Sequence, residues 1–392
     1  MQIKSSFIVL TSALNCLTLI LELQNNFVIK LHVMQAEFGD CFILEYKSGN
    51  QSTTMLIDGG PYQTFKNHLK PTLQKLPLNG KIDLIVLSHI DNDHIIGLID
   101  LLVEIKYQRE RGTKELVKIS KLWHNSFKNI LLLPDEPKQL LANLFQDQSL
   151  MERKNILESL IMKGYQQGTD LAKMAKSLKI PINEGFGELI EVEHNVKSAS
   201  LNNINLRILG PTMKNLEKLR KEWNDWFNKK QQTGKTESRL IQILDKSVPN
   251  LASIMFLAEI KNRKILFTGD GLGQDVVEML SRNRMLDKNG KFHVDVLKVP
   301  HHGSDRNTSQ EFFSIVYAEY YMISANGRDD NPSLDTLRWI INVGKDIKKT
   351  RKIVFTNMTP NIKKVISESD EKEFNYECIF LKKKDHFLTL HL

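Results

Sequence analysis

Leu84-Ile85-Val86-Leu87-Ser88-His89-Ile90-Asp91-Asn92-Asp93-His94 sets four metal-ligating side chains directly after an apolar run. The run reads as a buried parallel strand, because such strands are apolar on both faces. His89, Asp91, Asp93 and His94 then fall on the loop at its carboxyl end, where open α/β sheets form their sites. Imidazole and carboxylate together suit Zn²⁺, Mn²⁺ or Fe more than Cu(I) or Ca²⁺.

The same arrangement recurs along the chain. Met55-Leu56-Ile57 leads into Asp58-Gly59-Gly60. Lys264-Ile265-Leu266-Phe267 leads into Thr268-Gly269-Asp270, and Val294 to Pro300 leads into His301-His302-Gly303-Ser304. One strand ending in Asp or His beside a glycine is common. Four in one chain predict a shared site, and glycine there lets backbone come close.

These motifs resemble the metallo-β-lactamase superfamily over about residues 27–335. Asp58-Gly59-Gly60 is similar to its first motif and His89 to His94 to its second. The subgroup most resembled is the hydrolase domain of the competence protein ComEC and its stand-alone relatives. Those relatives have Ser-His-x-Asp-x-Asp-His, then Thr-Gly-Asp, then Lys-Val-Pro-His-His-Gly-Ser, as Lys298 to Ser304 read here. Leu209-Gly210-Pro211 and Asn250 to Ile254 resemble two further short elements of that subgroup.

The resemblance implies an α/β fold, an αββα sandwich with a helical insertion. It also implies a hydrolase using a metal-bound hydroxide, with two ions per chain, Zn or Mn. His89 and Asp91 would hold one ion. Asp93, His94 and His301 or His302 would hold the other, and Asp270 would bridge. His301 is the favoured ligand of the pair, leaving His302 to contact the leaving group; Asp93 and His302 would be the catalytic residues. Asp58 would orient a histidine from outside, and Ser304 and Asn331 would meet substrate. Asp91 stands where the superfamily usually has histidine, and a third site-one histidine is missing. His194 is the one candidate for that place. An oxygen-rich first site makes Mn²⁺ a rival to Zn²⁺.

The 392 residues carry 54 Lys and Arg against 46 Asp and Glu, a net charge of +8. That balance admits an anionic partner without requiring one. Cys16, Cys41 and Cys378 are few and scattered, which fits a reducing cytoplasm and excludes a disulfide framework. Phe7 to Leu23 is apolar but short for a membrane span and contains Glu22, so no stable membrane insertion is expected. Residues 1–26 read first as a dispensable extension, with a helix packed on the domain or a signal or anchor segment as alternatives, and residues 27–392 as one domain.

Within that unit, Phe38-Gly39-Asp40 reads as an ordinary hairpin turn. Ile95 to Ile105 reads as a helix and Ile119 to Trp123 as a strand, followed by His124, which reads first as a surface residue and second as one approaching the site mouth. Helical insertions are expected at about 135–180 and 214–235. The first reads equally as a roof over the site and as scaffold. The second mixes Lys214, Lys218, Arg220, Lys221, Lys229 and Lys230 with Trp223, Trp226 and Phe227, and reads first as an amphipathic packing helix.

The expected activity is a phosphodiesterase or nuclease acting on nucleic acid or a nucleotide. Hydrolysis of a small ester, lactone or thioester is the alternative within enzymes. A partner-activated or non-catalytic module of an anti-phage defence system is the alternative outside them.

Overall fold

Phe27–Met34 (β1), Phe42–Ser48 (β2) and Gln51–Ile57 (β3), each carrying a run of consecutively buried residues, join as an antiparallel meander, with Leu31 opposite Leu44 and Leu44 opposite Met55. The computed structural model describes residues 27–126, 130, 156–194, 198–233, 249–343 and 349–392. The expected extension 1–26, the 135–155 part of the first insertion and the end of the second beyond Thr233 lie outside these residues. So do the side chains of Trp223, Trp226, Phe227, Lys229 and Lys230.

The chain then forms Lys81–Ile82 (β4), Leu84–Val86 (β5), Lys118–Ile119 (β6) and Leu122–Trp123 (β7). The single strand expected at Ile119 to Trp123 is thus two short ones. β6 pairs with β4 in a small separate sheet, and β7 pairs parallel to β5. The second half supplies Ser198–Leu201 (β8), Ile204–Gly210 (β9), Met255–Ile260 (β10), Arg263–Phe267 (β11), Phe292–Lys298 (β12), Val316–Ile323 (β13), Arg351–Phe355 (β14) and Tyr376–Phe380 (β15). The last strand, Phe387–His391 (β16), returns to pair antiparallel with β1. The two main sheets run β16-β1-β2-β3-β5-β7 and β15-β14-β13-β12-β11-β10-β9-β8.

Between the sheets lies one apolar core. Phe42, Leu44, Met55 and Val86 face it from the first sheet, and Phe256, Ile265, Phe267 and Val296 belong to it from the second. Helices cover both outer faces. Asn92–Glu110 (α1) and Ile156–Ser177 (α2) bury Leu98, Leu102, Leu171 and Ala175 against the outer face of the first sheet, with Leu56 and Ile85. Gly273–Arg282 (α4), Gln310–Ile315 (α5), Leu334–Val343 (α6) and Pro360–Glu368 (α7) bury Met279, Phe313, Ile340 and Ile362 against the second. Between β9 and β10 stands Met213–Thr233 (α3), which buries Leu216 and Leu219. The order is helices, sheet, sheet, helices, an αββα sandwich, as expected.

The described half of the first insertion is a packing layer, because Leu171, Ala175 and Leu178 are buried with Leu56 and Ile85 on the outer face of the first sheet. α1 starts at Asn92, three residues earlier than expected, so Asp93 and His94 occupy its first turn. An acidic residue there is favoured by the helix dipole. The helix packs tightly on the Asp-Gly-Gly turn: a Cβ on Gly97 would lie 1.9 Å from the Gly59 carbonyl oxygen. Only glycine admits that approach. Five strand ends and turns therefore meet at one rim of the sandwich.

Candidate metal centre

At that rim, four imidazoles surround one carboxylate oxygen. Asp270 Oδ2 lies 3.8 Å from His89 Nε2, 3.4 Å from His94 Nε2, 3.7 Å from His301 Nε2 and 3.3 Å from His302 Nε2. Asp91 Oδ2 is 3.5 Å from His89 Nε2. Asp93 Oδ2 is 3.2 Å from His302 Nε2 and 3.8 Å from His94 Nε2. His302 thus stands with Asp93 and His94, while His301 is the partly exposed member of the pair, at 21 %.

The opposite nitrogen of each ring is held by an oxygen. His94 Nδ1 donates to Asp58 Oδ2 at 2.9 Å, and His302 Nδ1 donates to the Ser324 carbonyl at 2.9 Å. His301 Nδ1 donates to Asn307 Oδ1 at 2.7 Å. Ser88 Oγ gives its proton to Asp58 Oδ2 at 2.8 Å, which leaves it to accept from His89 Nδ1 at 3.1 Å. With Nδ1 protonated, each Nε2 offers a lone pair to the centre. His89 Nε2, His94 Nε2 and His302 Nε2 are buried and make no hydrogen bond. Orphaned nitrogens of this kind, turned towards shared carboxylates, fit a divalent metal ion.

Charges in the cluster support one another. Burial opposes ionisation of Asp270 and Asp93, but the facing histidines outweigh it and hold both carboxyls below their usual range. Burial likewise opposes charge on His94 and His302, and the surrounding carboxylates outweigh it and raise both rings. His301 goes the other way, because burial lowers it more than Asp270 raises it. A bound cation would replace the protons that His94 and His302 otherwise attract.

Backbone shape puts the paired histidines in place. His301 and His302 both lie in the left-handed region, with φ of 46° and 54°. Non-glycine residues hold such angles at a cost, and they gather at functional sites. Asn307 Nδ2 also donates to the Asp270 carbonyl at 2.7 Å, and Asp270 N donates to Ser253 Oγ at 3.2 Å. The Asn250 to Ile254 stretch touches the centre through that serine and through Asn250, whose Nδ2 is 3.3 Å from His301 Nδ1.

Several residues depart from the sequence reading. Asp40 is not an ordinary turn residue: it is fully buried, 2.6 Å from Lys298 Nζ and 3.5 Å from His302 Nδ1. Its signal was present as one more Gly-Asp pair at a strand end. Ser88, Lys298 and Asn307 lay within or beside the quoted motifs without an assigned role. His194 stays outside the centre, its side chain 75 % exposed beside Glu191. His124 is not a surface residue but is 1 % exposed. Ser304 is buried, and its Oγ accepts from Arg306 N at 3.4 Å. Asn331 is buried at the start of the turn before α6, where Ser333 Oγ caps the helix by accepting from Thr336 N at 3.2 Å.

No curated protein matches this chain. Among solved structures, the metallo-beta-lactamase fold protein YhfI from Bacillus subtilis aligns at 11 % identity and a TM-score of 0.41, covering 93 % of this chain and 100 % of its own. A diphosphatase from the PhnP family aligns at 12 % identity and a TM-score of 0.39, covering 93 % and 98 %. The hydrolase AbOPH of the beta lactamase superfamily aligns at 13 % identity and a TM-score of 0.28, covering 64 % and 69 %. The family model of the metallo-beta-lactamase superfamily matches residues 35–157, the segment that carries Asp58, His89, Asp91, Asp93 and His94. Over that segment the chain is similar to the metallo-beta-lactamase superfamily.

Proposed function

We propose that this chain is a two-metal phosphodiesterase of the ComEC-like subgroup, acting on nucleic acid or a nucleotide. One observation carries the metal centre: four Nδ1-anchored imidazoles present Nε2 within 3.8 Å of Asp270 Oδ2. His89 and Asp91 would hold one divalent ion, and Asp93, His94 and His302 the other. Asp270 would stand between them, with His301 adding a nitrogen at the same oxygen. Zn²⁺ and Mn²⁺ both suit this mixed donor set. When bound, such ions supply Lewis acidity to the phosphoryl group and lower the pKa of water.

The chain's own groups do the rest. Asp58 and Ser88 lock the rings of His89 and His94. Asp93 keeps one carboxylate oxygen on the histidines, which leaves its second oxygen to take a proton from the attacking water. Ser304 and Asn331, on the turns that follow the paired histidines and β13, are the proposed substrate contacts. The formal charge of +8 favours an anionic substrate.

The test is a panel of single-stranded DNA, duplex DNA, RNA, cyclic dinucleotides and a chromogenic phosphodiester, beside lactone and thioester substrates, each with Zn²⁺ or Mn²⁺. Asp270→Ala should abolish turnover and lower metal content. Turnover confined to lactones or thioesters would keep the centre and overturn the phosphodiester reading. No turnover by fully metal-loaded protein would favour a partner-activated or regulatory role.

A further inference from the structure

Lys298 is a charged side chain only 1 % exposed, and it touches the middle of the centre. Its Nζ lies 2.6 Å from Asp40 Oδ2, 2.7 Å from the Gly269 carbonyl and 3.3 Å from Asp270 Oδ1. A buried lysine is costly unless carboxylates compensate it. Asp40 is placed for that and is itself fully buried. Close contact explains how: a Cβ on Gly39 would lie 2.0 Å from the Asp93 carbonyl oxygen, so glycine alone lets this turn press Asp40 into the site.

Asp40, His94, Asp270 and His302 have ligand-type atoms within 4.8 Å of one another, which makes Asp40 look like a metal ligand. Orientation argues otherwise. Asp40 approaches the back of the rings, 3.5 Å from His302 Nδ1 and 3.9 Å from His94 Nδ1. The nitrogens left without hydrogen bonds are the Nε2 atoms on the other side. The two oxygens of Asp270 are divided in the same way. Oδ1 meets the Lys298 ammonium, and Oδ2 meets the four imidazoles.

From this division we infer that Lys298 and Asp40 form a buried ion pair that positions Asp270. The pair holds Oδ1 back, which leaves Oδ2 as the oxygen that would be offered to the metals, and its carboxylate end steadies His302 from behind. Lys298 is a positioning residue, acting through Asp270. The inference rests on the metal-centre reading and deepens it.

The experiment is a titration of the full-length protein with Zn²⁺ and with Mn²⁺ against a competing chelator, for wild type and Lys298→Met. Circular dichroism confirms that each is folded. Groups that orient metal ligands typically contribute about 10- to 100-fold in metal affinity, so Lys298→Met should bind at least about tenfold more weakly. An affinity within about twofold of wild type would overturn the inference. If Lys298→Met does not fold, the double variant Lys298→Met/Asp40→Asn removes both charges together and carries the test. Weakening by about tenfold there supports positioning. Wild-type affinity there overturns it, because Lys298 would then only neutralise Asp40. Wild-type protein that takes up neither metal overturns the metal-centre reading as well, whereas normal wild-type uptake with an unaltered variant overturns this inference alone.

Discussion

His124 should make the protein acid-labile in a narrow window. The residue follows β7, beside Leu87, and its backbone is bracketed by Asn183: His124 N donates to Asn183 Oδ1 at 2.8 Å, and Asn183 Nδ2 donates to the His124 carbonyl at 2.9 Å. The ring lies under Gly168 of α2, near Ile90. Neither ring nitrogen has a hydrogen-bond partner among the described residues. Burial therefore pushes its pKa from 6.5 down to about 4, and the polar contact with the Gly168 backbone offsets little of this. Between those values the unfolded chain binds a proton that the folded chain does not. Stability therefore falls as pH drops from 6.5 to about 4, and this contribution is flat below. At about 1.36 kcal/mol per pH unit, the gap is worth about 3 kcal/mol. The assay is urea unfolding of metal-free wild type and His124→Leu across that window. Wild type should lose about 3 kcal/mol more than the variant on acidification. Leucine removes the titrating group while breaking no side-chain hydrogen bond. Parallel stability curves for the two proteins would refute the reasoning.

Other perturbations test other joints. Gly97→Ala drives a Cβ to 1.9 Å from the Gly59 carbonyl; it should cost about 2 kcal/mol or more, read by thermal unfolding, and lower metal content by displacing Asp58. Ser88→Ala removes the oxygen shared by Asp58, His89 and His94, so metal affinity should fall about tenfold, read by chelator competition. Arg351 is buried and donates to the carbonyls of Ile340, Ile341 and Phe374. Arg351→Met should therefore cost about 3 kcal/mol in urea unfolding while leaving metal stoichiometry unchanged. If the substrate is a nucleic acid, its KM should rise with salt, because phosphate contacts release counterions, and a salt-insensitive KM would count against a polyanionic substrate.

Much of the candidate site was legible because its candidate ligands stand in short motifs at strand ends. Short apolar runs ending in Asp58, His89, Asp270 and His301 mark strand ends, and strands of one sheet end along one rim. Local pattern was therefore enough for the segments that meet there, while the sandwich was implied by their resemblance to a known superfamily. It was not enough for helix α1, whose first turn took in Asp93 and His94, nor for Ile119 to Trp123, which divides between two sheets.

What only the tertiary structure decided were relations across distant segments. Asp40 becomes part of the centre because Gly39 packs on Asp93, and Lys298 because β12 ends beside Asp270. Neither contact leaves a periodic trace, since a Gly-Asp turn or a strand lysine usually faces water. His301 and His302 are adjacent in sequence, but their left-handed backbone turns His302 towards Asp93 and leaves His301 partly exposed. His124 shows the converse, a polar residue buried because a helix far along the chain lies over it. Sequence carries the identity and spacing of the candidate ligands. The tertiary fold alone determines which face of each imidazole meets a carboxylate, because that depends on atoms brought together from five separate strand ends and turns.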